Sequence, residues 1–542
     1  MSRPPFLRSP PFPVAGAQAA VSAAGPPDKA VDVALLDDVA RARVGGSFWG
    51  ERVEGLAIIV RRGVDVPAVM LEGVAPDAIG VLPGNPQSPL PMAGARLLPG
   101  DCDPWALVAG ARAVHASATD EVAIVAGLAG VPVFGSDGRP IAAPALRTAA
   151  LDALAAAHYR DCFSGRPIDA GRAIAILADW RRQTDGNRGL AAASGMAFWK
   201  RRAIADMLWD GRRSPPFLKP EAGLRRAAAE GKALAIWPSR VPPDLKARAA
   251  AQGVPIAQVE DGFLRSRGLG AALVPPSSVV VDRSGIYYDA TRPSDLEKLL
   301  ATHDFPDDLI ARARALRAKV RDSGVGKYGA SAGMGVDLPA GRRTILAVGQ
   351  VEDDLSVALG GGGIAGNLDF LARVRAAEPD GWIIYRPHPD VRAGHRKGHV
   401  SDAAALRLVN KIDEGSPLMG LVCGVDSVHV LSSLTGFEAL MRDREVVVHG
   451  MPFFAGWGLT RDLAPVPARR GRRLTIDQLV AATLILYPRY SDPVTRLPCG
   501  PELLIDRMVE GAMPRRTSLV RLRELQGKLR RFMTLGAEFL HD

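Results

Sequence analysis

Residues 344–390, TILAVGQVEDDLSVALGGGGIAGNLDFLARVRAAEPDGWIIYRPHPD, decide the fold of this chain. TILAVGQ (344–350) and WIIYRPH (382–388) are short apolar runs typical of buried strands, and the segment near 367–377 between them has helical spacing. A strand, a helix and a second strand in this order form a parallel pair with a right-handed crossover. The stretch therefore predicts a doubly wound α/β sheet.

The same alternation of strands and helices extends on both sides of this stretch. Further apolar runs with strand character are ALAIWPS (233–239), VPIAQVEDG (254–262), SSVVVD (277–282), DSVHVLSS (426–433) and EVVVHG (445–450). Helical segments separate most of them, which favours parallel sheets, and the whole set fits two doubly wound lobes. Ligands bind such sheets beyond the carboxyl ends of the strands.

Composition shifts divide the chain into six predicted segments. Pro, Ala and Gly dominate the beginning, and the clustered prolines of GRRSPPFLKPEAG (211–223) indicate a linker. The predicted segments are a disordered tail at 1–30, a degenerate N-terminal α/β region at 31–210, a linker at 211–232, a first lobe at 233–335, a second lobe at 336–508 and a basic amphipathic helix at 509–542.

A weak internal repeat connects the N-terminal region with the second lobe. LDALAAA (151–157) resembles IDQLVAA (476–482), and AVHASATDEVAIVAGLAGVPVFG (113–135) resembles SVHVLSSLTGFEALMRDREVVVHG (427–450). The earlier copy has no counterpart of Glu438, and alanine and threonine replace two serines. We interpret it as the remnant of a duplicated module that is kept for packing, with chance similarity of two alanine-rich helices as the alternative.

The net charge of +10 suits polyanionic partners. Nucleic acid is disfavoured, because only 6% of the residues are aromatic and few rings are available for stacking on bases. After Pro514, leucines recur at helical spacing among arginines and lysines. This segment fits either a helix lying on an anionic membrane or a terminal helix docked on its own domain.

The sequence also predicts the compartment. No run of ~18 apolar residues and no secretory signal are found, so we expect a cytoplasmic protein. The four cysteines are far apart, which fits structural thiols in a reducing compartment: Cys102, Cys162, Cys423 and Cys499.

The first polar cluster is EDGFLRSRGLG (260–270), at the end of a predicted strand. Adjacent Glu260 and Asp261 point to opposite faces of the strand, so only one of them is expected to act as a general acid or base. An Asp-Gly turn with Arg265 or Arg267 in a surface ion pair is the structural alternative.

The second cluster, GQVEDDLS (349–356), places Glu352, Asp353 and Asp354 directly after a strand. Mutual repulsion of three carboxylates can raise a pKa or prepare a nucleophile, and such a group can also bind a divalent metal.

The third cluster, WIIYRPHPDV (382–391), brings Arg386 and His388 to the end of a strand, with Pro387 and Pro389 fixing the backbone around the histidine. An imidazole beside a guanidinium suits a phosphate or a carboxylate. A solitary buried histidine is the alternative.

The fourth cluster, HVLSSLTGFEAL (429–440), places Ser432, Ser433 and Thr435 at a predicted helix start, where hydroxyls and free N–H groups can bind phosphate. N-capping explains one hydroxyl and not three. Glu438 lies one turn further and can reach the hydroxyls of a ribose. The third and fourth clusters together indicate a nucleotide site.

In this order, EDGFLRSRGLG, VVVDRSGIYYDATRPSDLEKLL, GQVEDDLS, YRPHPDVRAGHRKG, SSLTGFEAL and MPFFAGWGLTRD resemble the capsular polysaccharide β-Kdo transferases, over about residues 233 to 500. The resemblance implies a GT-B-like α/β fold with two Rossmann-type lobes facing a cleft. It also implies a retaining transfer of β-Kdo from CMP-Kdo to a lipid-linked acceptor, with no cofactor and no metal. The first lobe then binds the acceptor and the second the nucleotide sugar, and the N-terminal region is a degenerate transferase module.

The resemblance also implies roles for individual residues. Asp354 is the expected nucleophile, with Asp353 as the alternative, and Glu260 or Asp261 handles the proton of the acceptor hydroxyl. The expected nucleotide-binding residues are His388, Pro389, Ser432, Ser433, Thr435, Gly436 and Glu438. The expected sugar and acceptor residues are Arg265, Lys327, Gln350, Arg386, Trp457, Thr460 and Asp462, although the loop with the last three can instead be structural.

Two departures from the family pattern are visible. The chain carries one intact module where longer members have two, and Gly329 stands where asparagine is more typical. Expected partners are the anionic inner face of the cytoplasmic membrane and other capsule assembly proteins. Transfer of another CMP-activated nonulosonic acid, or a non-catalytic scaffold in the capsule complex, are the alternative functions.

Overall fold

The computed structural model describes residues 4–13, 21–24, 31–265, 274–326, 329–330 and 338–511. The chain forms two compact units that alternate along the sequence. Unit 1 takes its described residues from Met1–Arg188, Leu208–Ser214 and Thr495–Cys499, and unit 2 takes them from Gly189–Met207, Pro215–Val494 and Gly500–Asp542.

Unit 1 is an α/β unit. Its strands are β1 (Ser22–Ala24), β2 (Ile58–Arg61), β3 (Ile79–Leu82), β4 (Arg96–Leu97), β5 (Ala113–His115), β6 (Val133–Phe134), β7 (Ala157–Arg160) and β8 (Pro167–Ile168). Its helices are α1 (Leu35–Ala42), α2 (Ala68–Leu71), α3 (Pro104–Val108), α4 (Glu121–Leu128), α5 (Ala143–Ala155) and α6 (Ala170–Asn187), with a 3-10 turn at Pro76–Ala78. Strand Pro498–Cys499 also belongs to this unit.

The parallel sheet of unit 1 has the strand order β4-β3-β2-β5-β6. Its core includes the side chains of Ile59 and Val114 from the sheet, Val125 from α4 and Trp180 from α6, each at most 1% exposed. The antiparallel strands β1, β7 and β8 form a separate small sheet. Burying a large apolar side chain contributes about 1.5–3 kcal/mol, so a core of this size can stabilise the unit.

The first part of unit 2 contains β9 (Leu190–Ser194), α7 (Arg201–Met207), α8 (Pro220–Glu230), β10 (Ala233–Ile236), α9 (Leu245–Ala251), β11 (Ile256–Asp261), β12 (Ser278–Asp282), α10 (Asp295–Thr302), α11 (Asp307–Ser323), β13 (Val325–Gly326) and β14 (Gly329–Ala330). A 3-10 turn lies at Pro238–Arg240. We call this part the first lobe.

The second part, the second lobe, contains β15 (Thr344–Val348), α12 (Leu355–Gly360), α13 (Asn367–Ala377), β16 (Trp382–Arg386), α14 (Pro389–Arg392), α15 (Asp402–Ala405), β17 (Lys411–Ile412), α16 (Leu418–Gly424), β18 (Ser427–Val430), α17 (Thr435–Leu440), β19 (Glu445–Val448) and β20 (Arg461–Asp462). A 3-10 turn at Ala468–Arg470, α18 (Ile476–Val480), a π-helical turn at Ala481–Leu486, β21 (Pro488–Ser491) and α19 (Pro501–Glu510) follow.

The sheet of the first lobe is mixed. Strands β9, β10 and β11 are parallel, whereas β12 and β21 are antiparallel to their neighbours, in the order β21-β12-β11-β10-β9. The prediction of two wholly parallel, doubly wound lobes is therefore corrected for this lobe. β21 comes from far along the chain, so the sequence around β11 and β12 gave no signal for this pairing.

The second lobe has the predicted parallel sheet. Its order is β17-β16-β15-β18-β19-β20, and every described pairing is parallel. Each residue of β15 is buried, which explains its continuous apolar sequence. The first five strands have the connectivity found in unit 1, and this agreement supports the repeat that the sequence indicates.

The boundary predicted at 210 lies elsewhere in the structure. β9 belongs to unit 2 and pairs with β10, so the unit begins about twenty residues earlier in the chain. The predicted linker 211–232 contains α8, which begins with a proline and ends at Gly231 in the left-handed conformation (φ 60°). The predicted disordered tail at 1–30 is corrected where it is described, because Leu7 and Val21 are fully buried and β1 pairs with β7. The predicted helix at 509–542 lies outside the described residues beyond residue 511.

Candidate functional site

The carboxyl ends of the two sheets in unit 2 meet through an aromatic cluster. Phe263, directly after β11, has its ring centroid 4.9 Å from that of Phe453 and 6.4 Å from that of Phe437. Tyr287, after β12, lies 5.8 Å from Phe453. A Cβ on Gly360 would lie 3.1 Å from the carbonyl oxygen of Tyr288. The polar strand ends of both lobes therefore belong to one region of the molecule.

Asp261 is bound by two cations. The Lys200 ammonium lies 3.0 and 3.1 Å from its two carboxylate oxygens, and Arg265 Nε donates to it at 2.9 Å. Burial raises the pKa of Asp261, but the charges and hydrogen bonds of Lys200 and Arg265 outweigh burial and keep the pKa below its usual value. Asp261 is thus an anion with a structural partner on each side.

Glu260 acts on two buried phenols as well as on Lys200. Burial raises the pKa of Tyr287 and Tyr288, and the carboxylates of Glu260 and Asp354 raise both pKa values further. Glu260 is the penultimate residue of β11 in the first lobe, whereas Asp354 precedes α12 of the second lobe. The same two phenols therefore lie within the electric field of carboxylates from both sheets.

The three acids after β15 have separate partners. Glu352 accepts a hydrogen bond from Asn367 N at 2.7 Å, and exposed Asp353 pairs with Arg396 at 3.1 Å. The hydrogen bond from Arg396 lowers the pKa of Asp353, so the predicted mutual repulsion of the acids is wrong for this residue. Asp354 accepts from Ser356 N at 2.9 Å and caps α12.

His388 is held by the backbone that follows it. Its Nδ1 accepts a hydrogen bond from Asp390 N at 3.2 Å and caps α14, whose first residue is Pro389. Because Nδ1 is an acceptor, the neutral ring carries its proton on Nε2. The imidazole can therefore donate a hydrogen bond to an anion from that nitrogen.

Gln350 and Ser432 connect the ends of neighbouring strands β15 and β18. Gln350 Nε2 donates to Ser432 Oγ at 3.0 Å, and Ser432 N donates to Gln350 Oε1 at 2.7 Å. Ser433 Oγ donates to Thr435 Oγ1 at 3.2 Å. Three hydroxyls and one amide are thus collected at the carboxyl end of the sheet, as the sequence predicts.

Gly436 and Glu438 lie on α17 and are buried. A Cβ at Gly436 would lie 2.6 Å from Phe454 Cζ, so the glycine serves close packing in this structure. A Cβ at Gly326, at the end of β13, would lie 2.8 Å from Glu438 Oε1. The chain that leads to Lys327 therefore passes beside Glu438, while Lys327 itself lies outside the described residues.

Two arginines expected to bind the donor have partners in the protein. Arg265 is 1% exposed and, besides Asp261, donates from Nη2 to Val274 O at 3.1 Å. Arg386 forms an ion pair with Asp413, which sequence reasoning missed. These contacts favour structural roles for both guanidinium groups.

The loop after β19 is also structural in large part. Trp457 is fully buried, and its Nε1 donates to Phe453 O at 2.8 Å. Thr460 Oγ1 donates to Asp462 Oδ1 at 2.6 Å, and Asp462 Oδ2 accepts from Gly456 N at 3.0 Å. The expectation that Trp457 lines a sugar pocket is not supported by its burial, and the structural alternative fits.

Sequence reasoning missed Lys200 and Tyr288. Lys200 lies outside the predicted first lobe, because β9 and α7 were assigned to the N-terminal region. Tyr288 lies within VVVDRSGIYYDA, whose apolar and aromatic residues gave no sign of two nearby carboxylates. Within the described ranges, no group of three or more His, Cys, Asp or Glu side chains could hold a metal ion.

The corresponding strand end in unit 1 differs chemically. Asp120 caps α4 by accepting from Val122 N, and Arg61 donates to its two oxygens at 2.8 Å each. Glu121 pairs with Arg8 at 2.5 Å. The helix start of unit 1 is therefore already occupied by its own carboxylates.

Comparisons with known proteins agree with the motifs. A family model described as capsule polysaccharide biosynthesis protein matches residues 232–318 and 308–490. The capsule polysaccharide modification protein LipA of Neisseria meningitidis serogroup A is 39% identical over 334 residues, or 59% of this chain and 46% of LipA. The lipopolysaccharide-processing protein LpsZ of Rhizobium meliloti is 44% identical over 243 residues, or 44% of this chain and 54% of LpsZ. The chain thus spans about half the length of these curated relatives.

A solved structure gives the same result for the fold. Thermosulfurimonas dismutans KpsC, beta Kdo 2,4 transferase, is 31% identical with a TM-score of 0.51, over 59% of this chain and 98% of that chain. Fold and strand-end chemistry thus define an α/β protein related to capsule enzymes. The chain belongs to the family of capsule polysaccharide Kdo transferases. No helix among the described residues has the length and apolarity needed to cross a membrane.

Proposed function

We propose that this protein is a retaining glycosyltransferase of GT-B-like architecture that moves β-Kdo from CMP-Kdo to a lipid-linked acceptor in capsule biosynthesis. The observation that carries the proposal is the contact between strand ends of the two lobes: the ring centroid of Phe263 lies 4.9 Å from that of Phe453, and a Cβ on Gly360 would lie 3.1 Å from the carbonyl oxygen of Tyr288. Carboxylates from both lobes, Glu260 and Asp354, raise the pKa of Tyr288 there. A reaction between a donor and an acceptor substrate needs protein groups that act on each of them, here from each of the two lobes. The choice of Kdo as the transferred sugar is supported by the family and by the similarity to a Kdo 2,4 transferase.

In the proposed reaction, Asp354 is the nucleophile. Its carboxylate attacks the anomeric carbon of Kdo, the bond to the phosphate oxygen breaks, and CMP leaves with the bonding electrons. The result is a glycosyl ester on Asp354 with inverted configuration. Exposed Asp354 is better suited to this role than Asp353, which is bound by Arg396.

In the second step, Glu260 accepts the proton of the acceptor hydroxyl. The hydroxyl oxygen attacks the anomeric carbon, the ester bond breaks, and Asp354 is released as a carboxylate, so that two inversions give net retention. Asp261 is a poor candidate for this base, because its two oxygens are bound by Lys200 and Arg265. Glu260 is therefore assigned the role.

The second lobe is proposed to bind CMP. His388 donates from Nε2 to the phosphate, and the hydroxyls of Ser432, Ser433 and Thr435 contribute further hydrogen bonds. Glu438 is proposed to bind the ribose. α17 is only six residues long, so the hydroxyls rather than the helix dipole carry this assignment.

A direct test compares neighbouring carboxamides. Asp354→Asn keeps an oxygen that can cap α12, so the fold should survive, while turnover of CMP-Kdo should fall more than about 1,000-fold. Asp353→Asn is the matched control and should remain within about threefold of the wild type, since its carboxylate is exposed and surface ion pairs contribute little. Product is detected by mass spectrometry. Equal turnover in Asp354→Asn and the wild type would remove Asp354 from the mechanism.

The intermediate supplies a second test. Glu260→Gln should slow the second step by about 100-fold or more and leave the first step intact. Intact-protein mass spectrometry should then find the mass of one Kdo residue added to the chain, and peptide mapping should place it on Asp354. An adduct on Asp353, or no adduct in a variant that still releases CMP, would contradict the assignment.

Membrane association completes the proposal. The basic segment after Pro514 is proposed to bind the anionic inner face of the cytoplasmic membrane, where a lipid-linked acceptor and other capsule assembly proteins would lie. Removing it should weaken binding to anionic vesicles and leave transfer to a water-soluble acceptor unchanged. Equal vesicle binding by the shortened chain would favour a terminal helix that docks on its own domain.

A donor screen over cytidine sugars distinguishes Kdo from other nonulosonic acids.

A further inference from the structure

Lys200 is a buried lysine that lies outside the segment matched by the family model. It is 8% exposed and precedes α7. Its ammonium lies 3.0 and 3.1 Å from the two oxygens of Asp261 and 3.7 Å from the ring centroid of Trp237. Lysine is seldom buried without a partner, because loss of hydration is costly. The carboxylate and the indole face replace that hydration.

The pair sits directly beside the proposed base. Asp261 and Glu260 are consecutive residues of β11, and Asp261 N donates to Glu260 Oε1 at 3.0 Å. Any movement of Asp261 therefore changes the backbone N–H that orients the Glu260 carboxylate. Arg265 holds the same aspartate from the loop that follows, at 2.9 Å.

We propose that Lys200 is a positioning residue for Glu260: together with Arg265 it fixes Asp261 as an anion at the end of β11, and so holds Glu260 towards the reacting groups with a net cation beside it. The inference rests on the proposed function, since it assigns Lys200 to the base of that reaction. Lys200 touches neither substrate.

The charges around Glu260 determine the expected pH dependence. They are Asp261 on its own strand, Arg265 in the next loop, Lys200 before α7, Tyr287 and Tyr288 after β12, and Asp354 before α12. The phenols are neutral at the working pH, because burial raises their pKa values. Burial lowers the pKa of Lys200, but Asp261 and Glu260 oppose this shift, and the contacts with both oxygens of Asp261 favour the charged ammonium. Lys200, Arg265 and Asp261 then sum to one positive charge, and removing Lys200 leaves a sum of zero.

The test uses Lys200→Met in the full-length protein, with transfer from CMP-Kdo as the readout. We expect kcat to fall about tenfold or more and KM for CMP-Kdo to stay within about twofold, because the donor is bound by the other lobe. The acid limb of kcat/KM should move to higher pH by roughly one unit, since loss of a nearby cation favours the protonated carboxyl group. Lys232→Met, which removes a lysine paired with Glu230 on the same lobe, is the control and should change none of these quantities.

Lys200→Met combined with Asp261→Asn restores the local sum of one positive charge. Its acid limb should therefore return to the position of the wild type, which a merely structural role would not produce. If Lys200→Met is too unstable to assay, Lys200→Gln gives the same readout, because its amide can still donate to Asp261.

The outcomes separate the two proposals. A wild-type protein that forms no glycosylated product overturns the proposed function itself. A wild-type protein that transfers Kdo, with a Lys200 variant whose acid limb and kcat match those of the wild type, overturns only the role of Lys200. The positioning role of Lys200 is supported if the acid limb of the kcat/KM profile moves in Lys200→Met and returns to the wild-type position in the double variant.

Discussion

Glu260 and Asp261 are consecutive residues of β11 whose side chains have different binding partners. The carboxylate of Asp261 is bound by Lys200 and Arg265, whereas Glu260 is the carboxylate that contributes most to the raised pKa values of Tyr287 and Tyr288. The alternation of side chains along a strand produces this division. The sequence predicted that only one carboxylate would serve catalysis, but it could not select which, because Lys200 lies sixty residues earlier in the chain.

Gly436 offers a test of packing at a single position. Alanine favours helices by about 1 kcal/mol over glycine, but its Cβ would lie 2.6 Å from Phe454 and 2.9 Å from Val430. We expect Gly436→Ala to lower the free energy of unfolding by about 1–3 kcal/mol, since overpacking outweighs propensity. Urea denaturation measures this.

The matched control is Gly415→Ala. No atom lies within 4 Å of a Cβ built at Gly415, so the same substitution should change the free energy of unfolding by less than about 0.5 kcal/mol. A stable Gly436→Ala variant would show that Phe454 can move aside, and nucleotide contact would then be the better explanation of this glycine.

Arg386 and Trp457 have partners within the protein that the sequence did not reveal. Arg386 was expected to bind the donor, because a guanidinium after a strand suits phosphate, yet its partner Asp413 stands at the end of a neighbouring strand. Trp457 was expected in a pocket for its ring, yet the ring is buried. Ser432 and Gln350 lie at the carboxyl ends of neighbouring strands, as the strand pattern predicts, because parallel strands bring their carboxyl ends to one edge. Their roles in binding stay predictions.

Among elements, β18 contains a buried histidine, His429, and a second buried histidine, His449, directly follows β19. His429 Nδ1 and His449 Nε2 are 3.1 Å apart. Burial lowers the pKa of His429 to about 3 and that of His449 to about 4. Both imidazoles are neutral in the folded protein, and both become protonated in the unfolded chain below the ordinary pKa of 6.5.

The free energy of unfolding that depends on these two neutral histidines should therefore decrease in acid. Their contribution is complete above pH 6.5 and is lost as the pH falls towards the folded pKa values, at about 2 kcal/mol per histidine between pH 7 and pH 5. His449→Phe should remove about half of this loss in urea titrations at the two pH values. His395→Phe, at an exposed site, should leave the slope unchanged, and an unchanged slope in His449→Phe would contradict the assignment.

Elements were predicted best where they are wholly apolar. β10, β15 and β16 follow continuous apolar runs, as expected of buried parallel strands. β9 was missed, because LAAAS contains no β-branched or aromatic residue and reads as part of a helix. The antiparallel addition of β21 to the first lobe could not be predicted either, since it depends on tertiary pairing over two hundred residues.

At the scale of the whole molecule, the units alternate along the chain, and this predicts where the chain can be divided. A protein beginning at Gly189 keeps β9 and Lys200, whereas one beginning at residue 211 loses a fully buried strand of its sheet. We expect the shorter protein to be insoluble or to melt at least about 5 °C lower. Calorimetry of the two purified proteins compares them, and equal midpoints would show that β9 is dispensable.

Unit 1 and the second lobe share the order of five parallel strands and a further local motif. Tyr159 donates from its hydroxyl to Leu154 O at 2.7 Å, and Tyr490 donates to Leu484 O at 2.8 Å. Unit 1 and the second lobe thus agree in strand order, although the side chains at their strand ends differ.

The carboxylates of Asp120 and Glu121 together lead to an expectation for how many nucleotides the chain binds. A phosphate that approaches the start of α4 would meet the carboxylates of Asp120 and Glu121. These carboxylates already form ion pairs with Arg61 and Arg8. Calorimetric titration with CMP should accordingly saturate at one equivalent per polypeptide, although two nucleotide-type sheets are present. Replacing Asp120 alone would leave that number at one, because Glu121 still repels the ligand.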